Sequence, residues 1–275
     1  MSDLANTPSA HGLDVVVLTS AVLGVELAAG LAGLNEVRSL TVVTTSVMRG
    51  RRNFREKLSG IYRHDGPAGV LRAGIRRIYK KGGGQDAAAV VAARCPGIKH
   101  LHCADLHAPE SLALLKDLSP DLGVVFGAYR LKPCVFTIPR LGCLNLHLGK
   151  APEFRGSSPA FYEMLEGVSS VGVTVHRMTE GLDAGPILKQ ESFPIDLAPR
   201  EDPISYLHRY QSEVLVPNGI RLMLEAVRLC AMGQISERPQ PLAQRPTRRR
   251  ATYQLKRELR RRVAGRRARL MAALG

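Results

Sequence analysis

An amide, an imidazole and a carboxylate occur within one stretch of the second half of the sequence, with the carboxylate 36 residues after the imidazole. Asn145 and His147 are two residues apart in a β-rich run, and Asp183 follows in the glycine-flanked stretch GLDAG. Alternate residues of a strand project on the same face, so Asn145 and His147 would share one face. This set suits acyl transfer to an amine, because the carbonyl oxygen becomes negative as the amine attacks and the amine must lose a proton.

Each of these side chains suits one part of that chemistry. The NH2 group of Asn145 would stabilise the oxyanion. His147 would relay the proton, since imidazole exchanges protons near neutral pH. Asp183 would orient the imidazole ring and favour its charged form. His176, in a later β-rich run, is a candidate for contact with a substrate, with a hydrogen-bonded structural histidine as the alternative.

The elements that would position these residues alternate between strands and helices. The β-rich runs are 14–19, 40–45, 98–103, 122–126, 142–147, 171–178 and a run around 187–195. The alternation predicts an α/β protein with a Rossmann-like, mostly parallel sheet and helices on both faces. Open sheets of this kind hold ligands at the carboxyl ends of their strands, where Asn145 and His147 are expected.

The sequence around these residues resembles the folate-dependent formyltransferase family, which includes the glycinamide ribonucleotide, methionyl-tRNA and amino-sugar formyltransferases. The resemblance extends over about residues 119–190 and is strongest in PRLGCLNLHLGKAPEFRGSSPAFYEMLEG and VGVTVHRMTEGLDAGPILKQ. Several separated motifs recur in order and at compatible spacing, unlike an isolated Asn-x-His pattern. The resemblance implies the formyltransferase fold, an N-formyltransferase, and Asn145, His147 and Asp183 as its catalytic triad.

The resemblance also implies 10-formyltetrahydrofolate as the formyl donor, held in a cleft lined mostly by main chain. The matching positions are Phe126, Gly127, Ala128, Tyr129, Leu131, Lys150, Ala151, Pro152, Thr179 and Glu180. Arg155 is implied to support the catalytic loop or the acceptor, and a supporting salt bridge is the alternative. Two departures from the family pattern are Gly149, where many members carry Ser, and Lys150-Ala151 in place of two leucines.

The acceptor implied most directly is a small-molecule amine, and an amino sugar on a phosphate-bearing nucleotide carrier is the leading hypothesis. Residues 19–24 lack the Gly- and Ser-rich phosphate loop of the purine-pathway members, and a basic tail follows Pro246 where tRNA-directed members carry a barrel domain. An amino acid, peptide or aminoacyl-tRNA amine remains an alternative. Hydrolysis of formyltetrahydrofolate is a second alternative function, and a non-enzymatic basic binding protein is a third.

The formal charge of +15 is concentrated in two segments. Residues 49–81 carry +9 and residues 245–275 carry +11, which leaves −5 on the remainder. A basic insert is therefore assigned to 49–84, with a helical stripe at 70–79 ended by three glycines. The partner predictions for these segments are an anionic carrier or a membrane surface, with nucleic acid left open. A homodimer is a further partner prediction.

The cysteines and the first apolar run favour a cytoplasmic protein. Five cysteines at scattered spacings suggest no disulfide framework. The run 14–37 contains Glu26 and reads as a strand followed by a helix rather than a membrane span, and no cationic leader precedes it. His100, His102, Cys103 and His107 invite a zinc interpretation, but they lack a closed four-ligand spacing and no metal site is assigned.

The positions of helix-compatible and proline-containing segments predict two regions. Residues 1–198 would form the formyltransferase catalytic domain with the basic insert. Residues 199–275 would form a helical C-terminal region, in which helical sequence to 232 is followed by a proline-containing linker and then by a short basic helix at 253–274. This tail is too short to fold as a domain of its own.

Overall fold

The sheet contains seven strands. The computed structural model describes residues 12–20, 22–45, 54–79, 91, 93–241 and 247–274. The strands are β1 (Leu13–Thr19), β2 (Val37–Thr45), β3 (Lys99–Cys103), β4 (Leu122–Val125), β5 (Cys143–His147), β6 (Ser170–Arg177) and β7 (Ile187–Pro194). Each predicted β-rich run forms one of these strands, with ends that differ by a few residues.

The strand order explains which part of the sheet holds the candidate site. The order is β3-β2-β1-β4-β5-β6-β7, with β1 to β5 parallel and β6 and β7 antiparallel to their neighbours. The inner strand β1 is apolar and buried along nearly its whole length, as expected for a parallel strand covered on both faces. The edge strand β7 carries Lys189 and Glu191, charges that discourage further strand pairing. The predicted mostly parallel sheet is confirmed.

Helices cover both faces of the sheet, as predicted. They are α1 (Val22–Ala32), α2 (Phe54–Tyr79), α3 (Pro109–Asp117), α4 (Pro133–Phe136), α5 (Phe161–Glu166), α6 (Pro203–Tyr210), α7 (Val216–Ala231) and α8 (Tyr253–Leu274), and a π-helical turn (Gln211–Leu215) joins α6 to α7. Val15 and Val17 of β1 belong to one apolar cluster, with α1 and α5 to α8, whereas Val16 and Leu18 belong to another, with α3 and α4. The alternating side chains of one strand therefore contribute to two cores.

The C-terminal helices share the larger of these cores. Tyr206 in α6, Met223 in α7, and Leu259 and Val263 in α8 are buried in the same cluster as the sheet residues. The division at residue 198 stays a prediction. Residues on either side of it nevertheless stabilise a common core.

The two basic segments contact each other. The predicted helix at 70–79 lies within α2. The three glycines predicted to end this helix lie outside the described residues. Gly66 interrupts α2 with a φ of 68°, and a Cβ there would lie 2.6 Å from the ring of Tyr253. Lys256 of α8 donates to Asp65 at 2.8 Å.

Within the described residues, no helix is long and apolar enough to cross a bilayer.

Glu163 is a buried acid in α5. Its side chain is 1% exposed, and neither carboxyl oxygen has a hydrogen-bond partner in the described part of the chain. Burial raises the pKa of this carboxyl to about 8, because the charged form loses its hydration. The group is therefore neutral in the folded protein at pH values where it is ionised in the unfolded chain.

Glu163 is expected to make stability fall as pH rises. The folded protein holds this proton up to a pKa of about 8, whereas the unfolded chain releases it near the ordinary glutamate pKa of 4.5. Between these pH values the unfolding free energy should fall, by up to about 5 kcal/mol for this group. Urea unfolding of wild type and Glu163→Gln from pH 4 to pH 9 measures it. A stability difference between the two that stays constant with pH would contradict the prediction.

Candidate active site

β5 brings Asn145 and His147 to the carboxyl end of the parallel part of the sheet. Asn145 pairs with Val125 of β4 on one side and with His176 of β6 on the other. Asn145 and His147 both line a cleft at this edge. The structure therefore places Asn145 and His147 at the edge of the sheet where the sequence predicts them.

Asp183 reaches the same cleft from the loop between β6 and β7. Its carboxylate lies 3.6 Å from His147 Nδ1 and accepts hydrogen bonds from Asn145 Nδ2 at 3.3 Å and from the main-chain N–H of Gly156 at 2.8 Å. Its backbone has a φ of 49°, a left-handed conformation that is uncommon outside glycine and tolerated best by Asn and Asp. The structure thus brings the amide, the imidazole and the carboxylate together.

His176 holds the amide of Asn145. The Nδ1 atom of His176 lies 2.9 Å from the carbonyl oxygen of Arg177, which can only accept, so Nδ1 carries the proton. Nε2 lies 3.1 Å from Asn145 Nδ2 and 3.5 Å from the Asp183 carboxylate. His176 is 2% exposed and lines the cleft. This places it beside the amide, and contact with an acceptor stays a prediction.

The ring of His147 is fixed by the loop that follows it. Nε2 lies 2.8 Å from the carbonyl oxygen of Phe154 and therefore donates to it, which leaves Nδ1 facing Asp183. A Cβ at Gly149 would lie 2.4 Å from His147 Nε2 and 2.7 Å from the Phe154 oxygen. Glycine at this position, a departure from the family pattern, lets the loop approach the imidazole closely.

The Asp183 carboxylate is held in its charged form. Its burial alone would raise the pKa, but the charge of His147, the hydrogen bond and charge of His176 and the Gly156 N–H together outweigh burial and lower the pKa to about 2. An ionised carboxylate 3.6 Å from Nδ1 of His147 would stabilise a positive charge that forms on the ring during proton transfer. The arrangement can therefore accept a proton at Nδ1 and hold it.

The cleft has a volume of about 490 Å³ and two walls made of loops. Residues 126–131, after β4, form one wall, and residues 178–183, after β6, form the other. Arg130 joins the walls by donating to the carbonyl oxygen of Glu180 at 2.8 Å. The hydroxyl of Tyr129 donates to Asp105 at 2.9 Å and accepts from the Leu106 N–H at 2.7 Å, so it holds the loop after β3.

The cleft includes most of the residues predicted to contact the formyl donor. Phe126, Gly127, Ala128, Tyr129, Leu131, Thr179 and Glu180 all line it. Lys150, Ala151 and Pro152 do not line it, and their contact with the donor stays a prediction. The loop turns away from the cleft and packs on β6, where the Ala151 N–H donates to Thr174 Oγ1 at 3.2 Å and its carbonyl accepts from Gln190 at 2.7 Å.

Arg155 also lies outside the cleft lining, and its contact with an acceptor stays a prediction. The residue is 7% exposed, because its loop is covered by the segment after residue 246. Its carbonyl accepts from the Arg248 N–H at 2.7 Å, and the Ser157 N–H donates to the Arg248 carbonyl at 3.0 Å. This pairing supports the loop that presents the Gly156 N–H to Asp183.

Gln240, which sequence reasoning missed, holds the Asp183 loop from outside the cleft. Its Nε2 donates to the carbonyl oxygens of Asp183 at 3.1 Å and Gly185 at 2.6 Å. Arg238, two residues earlier, pairs with Ile187 at the start of β7 by two main-chain hydrogen bonds. A lone glutamine in a proline-containing linker gives no sequence signal for this role.

The histidines considered as zinc ligands contact other groups. His100 Nε2 and His102 Nδ1 lie 2.8 Å and 3.2 Å from the Thr44 hydroxyl. His107 lies beside Asp105, and its Nε2 accepts from the Lys132 N–H at 3.0 Å. Among the described residues there is no group of three or more His, Cys, Asp or Glu side chains that could hold a metal ion.

Comparison with known proteins gives sequence and structural relatives. The sequence model of the formyl transferase family matches residues 70–214. A methionyl-tRNA formyltransferase from Syntrophus aciditrophicus is 38% identical over 146 residues, which are 53% of this chain and 42% of that protein. The chain therefore spans less than half the length of this curated relative.

Two solved structures share the fold. Glycinamide ribonucleotide transformylase 1 from Symbiobacterium toebii has a TM-score of 0.54 at 24% identity, over 84% of this chain and 96% of that one. A sugar N-formyltransferase from a Shewanella species has a TM-score of 0.54 at 14% identity, over 85% and 75%. At these identities the likeness concerns the fold alone. Since the family match covers more than half of the 275 residues, the chain belongs to the formyl transferase family.

Proposed function

We propose that this protein transfers a formyl group from 10-formyltetrahydrofolate to a primary amine, with Asn145, His147 and Asp183 as its catalytic residues. The observation that carries the proposal is the contact of these three side chains in one cleft. Membership of the formyl transferase family supports the reaction class. The donor, when bound, supplies an activated formyl group.

The cleft fits a flat heterocyclic donor. Its volume lies within the range of small-molecule sites. Gly127, Ala128 and Gly181 line it with small residues, which leaves room for a planar group to approach the main chain of both loops. The walls would also limit access of water to the reacting carbonyl.

The chain's own residues divide the chemistry between them. Asn145 would give up its longer hydrogen bond, 3.3 Å to Asp183, and donate that N–H to the formyl oxygen as negative charge develops there. His147 would take the proton of the attacking amine at Nδ1, because its Nε2 proton is held by the Phe154 carbonyl. Asp183 would stabilise the imidazolium, since its pKa of about 2 keeps it ionised at neutral pH.

For the acceptor we propose an amino sugar on a nucleotide carrier, with an aminoacyl-tRNA as the second candidate. The net charge of +15 suits either, because both carry phosphates. The second candidate is favoured by the methionyl-tRNA formyltransferase relative, although the matched region is only 42% of that protein. The basic segments, rather than the triad, would distinguish between these acceptors.

An acceptor panel tests the proposal. Purified full-length protein is incubated with 10-formyltetrahydrofolate and, separately, with nucleotide-linked amino sugars, methionyl-tRNA and free amino acids, and products are identified by mass spectrometry. A formylated nucleotide-linked sugar is the expected product. Formate release that does not depend on any amine would instead identify a hydrolase, and the absence of turnover with every acceptor would contradict formyl transfer to these amines.

Removing the Gln240 side chain is expected to lower kcat/KM by about tenfold, with a smaller effect on KM. Gln240→Ala removes two hydrogen bonds to the Asp183 loop, and a hydrogen bond of this kind is worth about 1 kcal/mol. Gln234→Ala, at an exposed position in the same linker, is the matched control. Equal kinetics of the two variants would mean that the loop holds Asp183 without Gln240.

A further inference from the structure

The apolar stripe of α8 extends beyond the body of the protein. Leu259 and Val263 are almost fully buried, and Leu270 and Leu274 continue the same helical face at spacings of seven and four residues. Yet Leu270 is 56% and Leu274 83% exposed, and the neighbouring Met271 is 71% exposed. Within the described ranges, the end of this stripe is therefore left without cover.

A groove of about 500 Å³ begins where the stripe leaves the body. Its apolar lining comes from Ile195, Leu197 and Ala198 on one side and Leu270 on the other. Asp196 also lines the groove. Its carboxylate accepts a hydrogen bond from the Ala198 N–H at 2.8 Å, within the turn that these two residues form. The groove thus offers an apolar floor next to the exposed leucines.

Arginines surround this apolar end. Arg266 is anchored by the carbonyls of Leu197 and Met164, both at 2.9 Å. Burial lowers the pKa of Arg266, and repulsion from Arg262 and Arg269 lowers it further, which indicates excess positive charge. Arg269 lines the groove and has no hydrogen-bond acceptor in the described part of the chain. Over its whole length α8 carries eight Lys or Arg and one Glu, a net +7.

We propose that the end of α8 is a docking site for an anionic lipid bilayer surface. Leu270, Met271 and Leu274 would enter the interface, while Arg269 contacts lipid phosphates. A second copy of the chain would bring two strongly positive helices together, and a nucleic acid would satisfy the arginines but leave the leucines in water. A bilayer with anionic headgroups satisfies both features. This proposal does not depend on the formyl transfer activity.

Co-sedimentation of the full-length protein with vesicles tests this proposal. The vesicles contain phosphatidylcholine alone or with phosphatidylglycerol. We expect binding only with phosphatidylglycerol, weakening with added salt, and about fivefold weaker for Arg269→Gln. Leu270→Glu should abolish it, whereas Met232→Glu, at an exposed apolar position outside α8, should leave it unchanged.

Three results would overturn the proposal. The first is the absence of binding to phosphatidylglycerol vesicles, or equal binding to both vesicle types. The second is a dimer in analytical ultracentrifugation that Leu270→Glu dissociates while vesicle binding is lacking. The third is binding to RNA that depends on Arg269 but not on Leu270, with no binding to vesicles.

Discussion

Replacing His147 with alanine is expected to lower kcat for formyl transfer by about 10²–10⁴-fold. The His147 imidazole can take a proton from the attacking amine, and its Nδ1 faces the Asp183 carboxylate at 3.6 Å. Alanine leaves the cleft walls intact, so binding of a tetrahydrofolate analogue should change little. Steady-state kinetics with the acceptor identified by the panel, together with analogue binding by calorimetry, measures both quantities.

His208→Ala is the matched control for this variant. His208 is exposed on α6, and its substitution removes the same side chain from a surface outside the cleft lining. It should retain wild-type kcat and analogue affinity. If His147→Ala kept more than about a tenth of wild-type kcat, general-base catalysis by this residue would be rejected.

The strands and the approximate position of the site follow from local sequence. The β-branched runs give the strands, and parallel strands open a cleft at their carboxyl ends. Asn145 and His147 could be placed there because strand periodicity fixes which residues share a face. Asp183 could be placed only through the family resemblance, since the loop conformation that returns it to His147 depends on contacts with Gly156 and Asn145.

Local sequence does not reveal the packing of loops and buried groups whose surroundings are distant in sequence. The loop from Lys150 to Pro152 packs on β6 because Ala151 forms hydrogen bonds with Thr174 and Gln190. The local sequence does not reveal these contacts. Gln240 acts on Asp183 from 57 residues away. Glu163 shows the same limit, because its burial results from the packing of α5 in the core rather than from its own local pattern.

The left-handed backbone of Asp183 determines which substitution isolates its charge. Asn tolerates a φ of 49° about as well as Asp, and its side-chain oxygen can still accept from the Gly156 N–H. Asp183→Asn should therefore preserve the loop while removing the negative charge beside His147 Nδ1. Alanine would change the loop and the charge together, so it is the less informative variant.

Asp183→Asn is expected to lower kcat by about 10²–10⁴-fold, because the imidazolium formed during proton transfer would lose its counter-charge. The pKa of Asp183 is about 2, so the wild-type carboxylate is ionised from about pH 4 upward and its own titration should not contribute to the pH profile between pH 5 and pH 9. A pH profile of kcat for wild type, Asp183→Asn and the exposed-site control Asp117→Asn measures it. A loss of less than about tenfold at every pH would contradict the counter-charge assigned to Asp183.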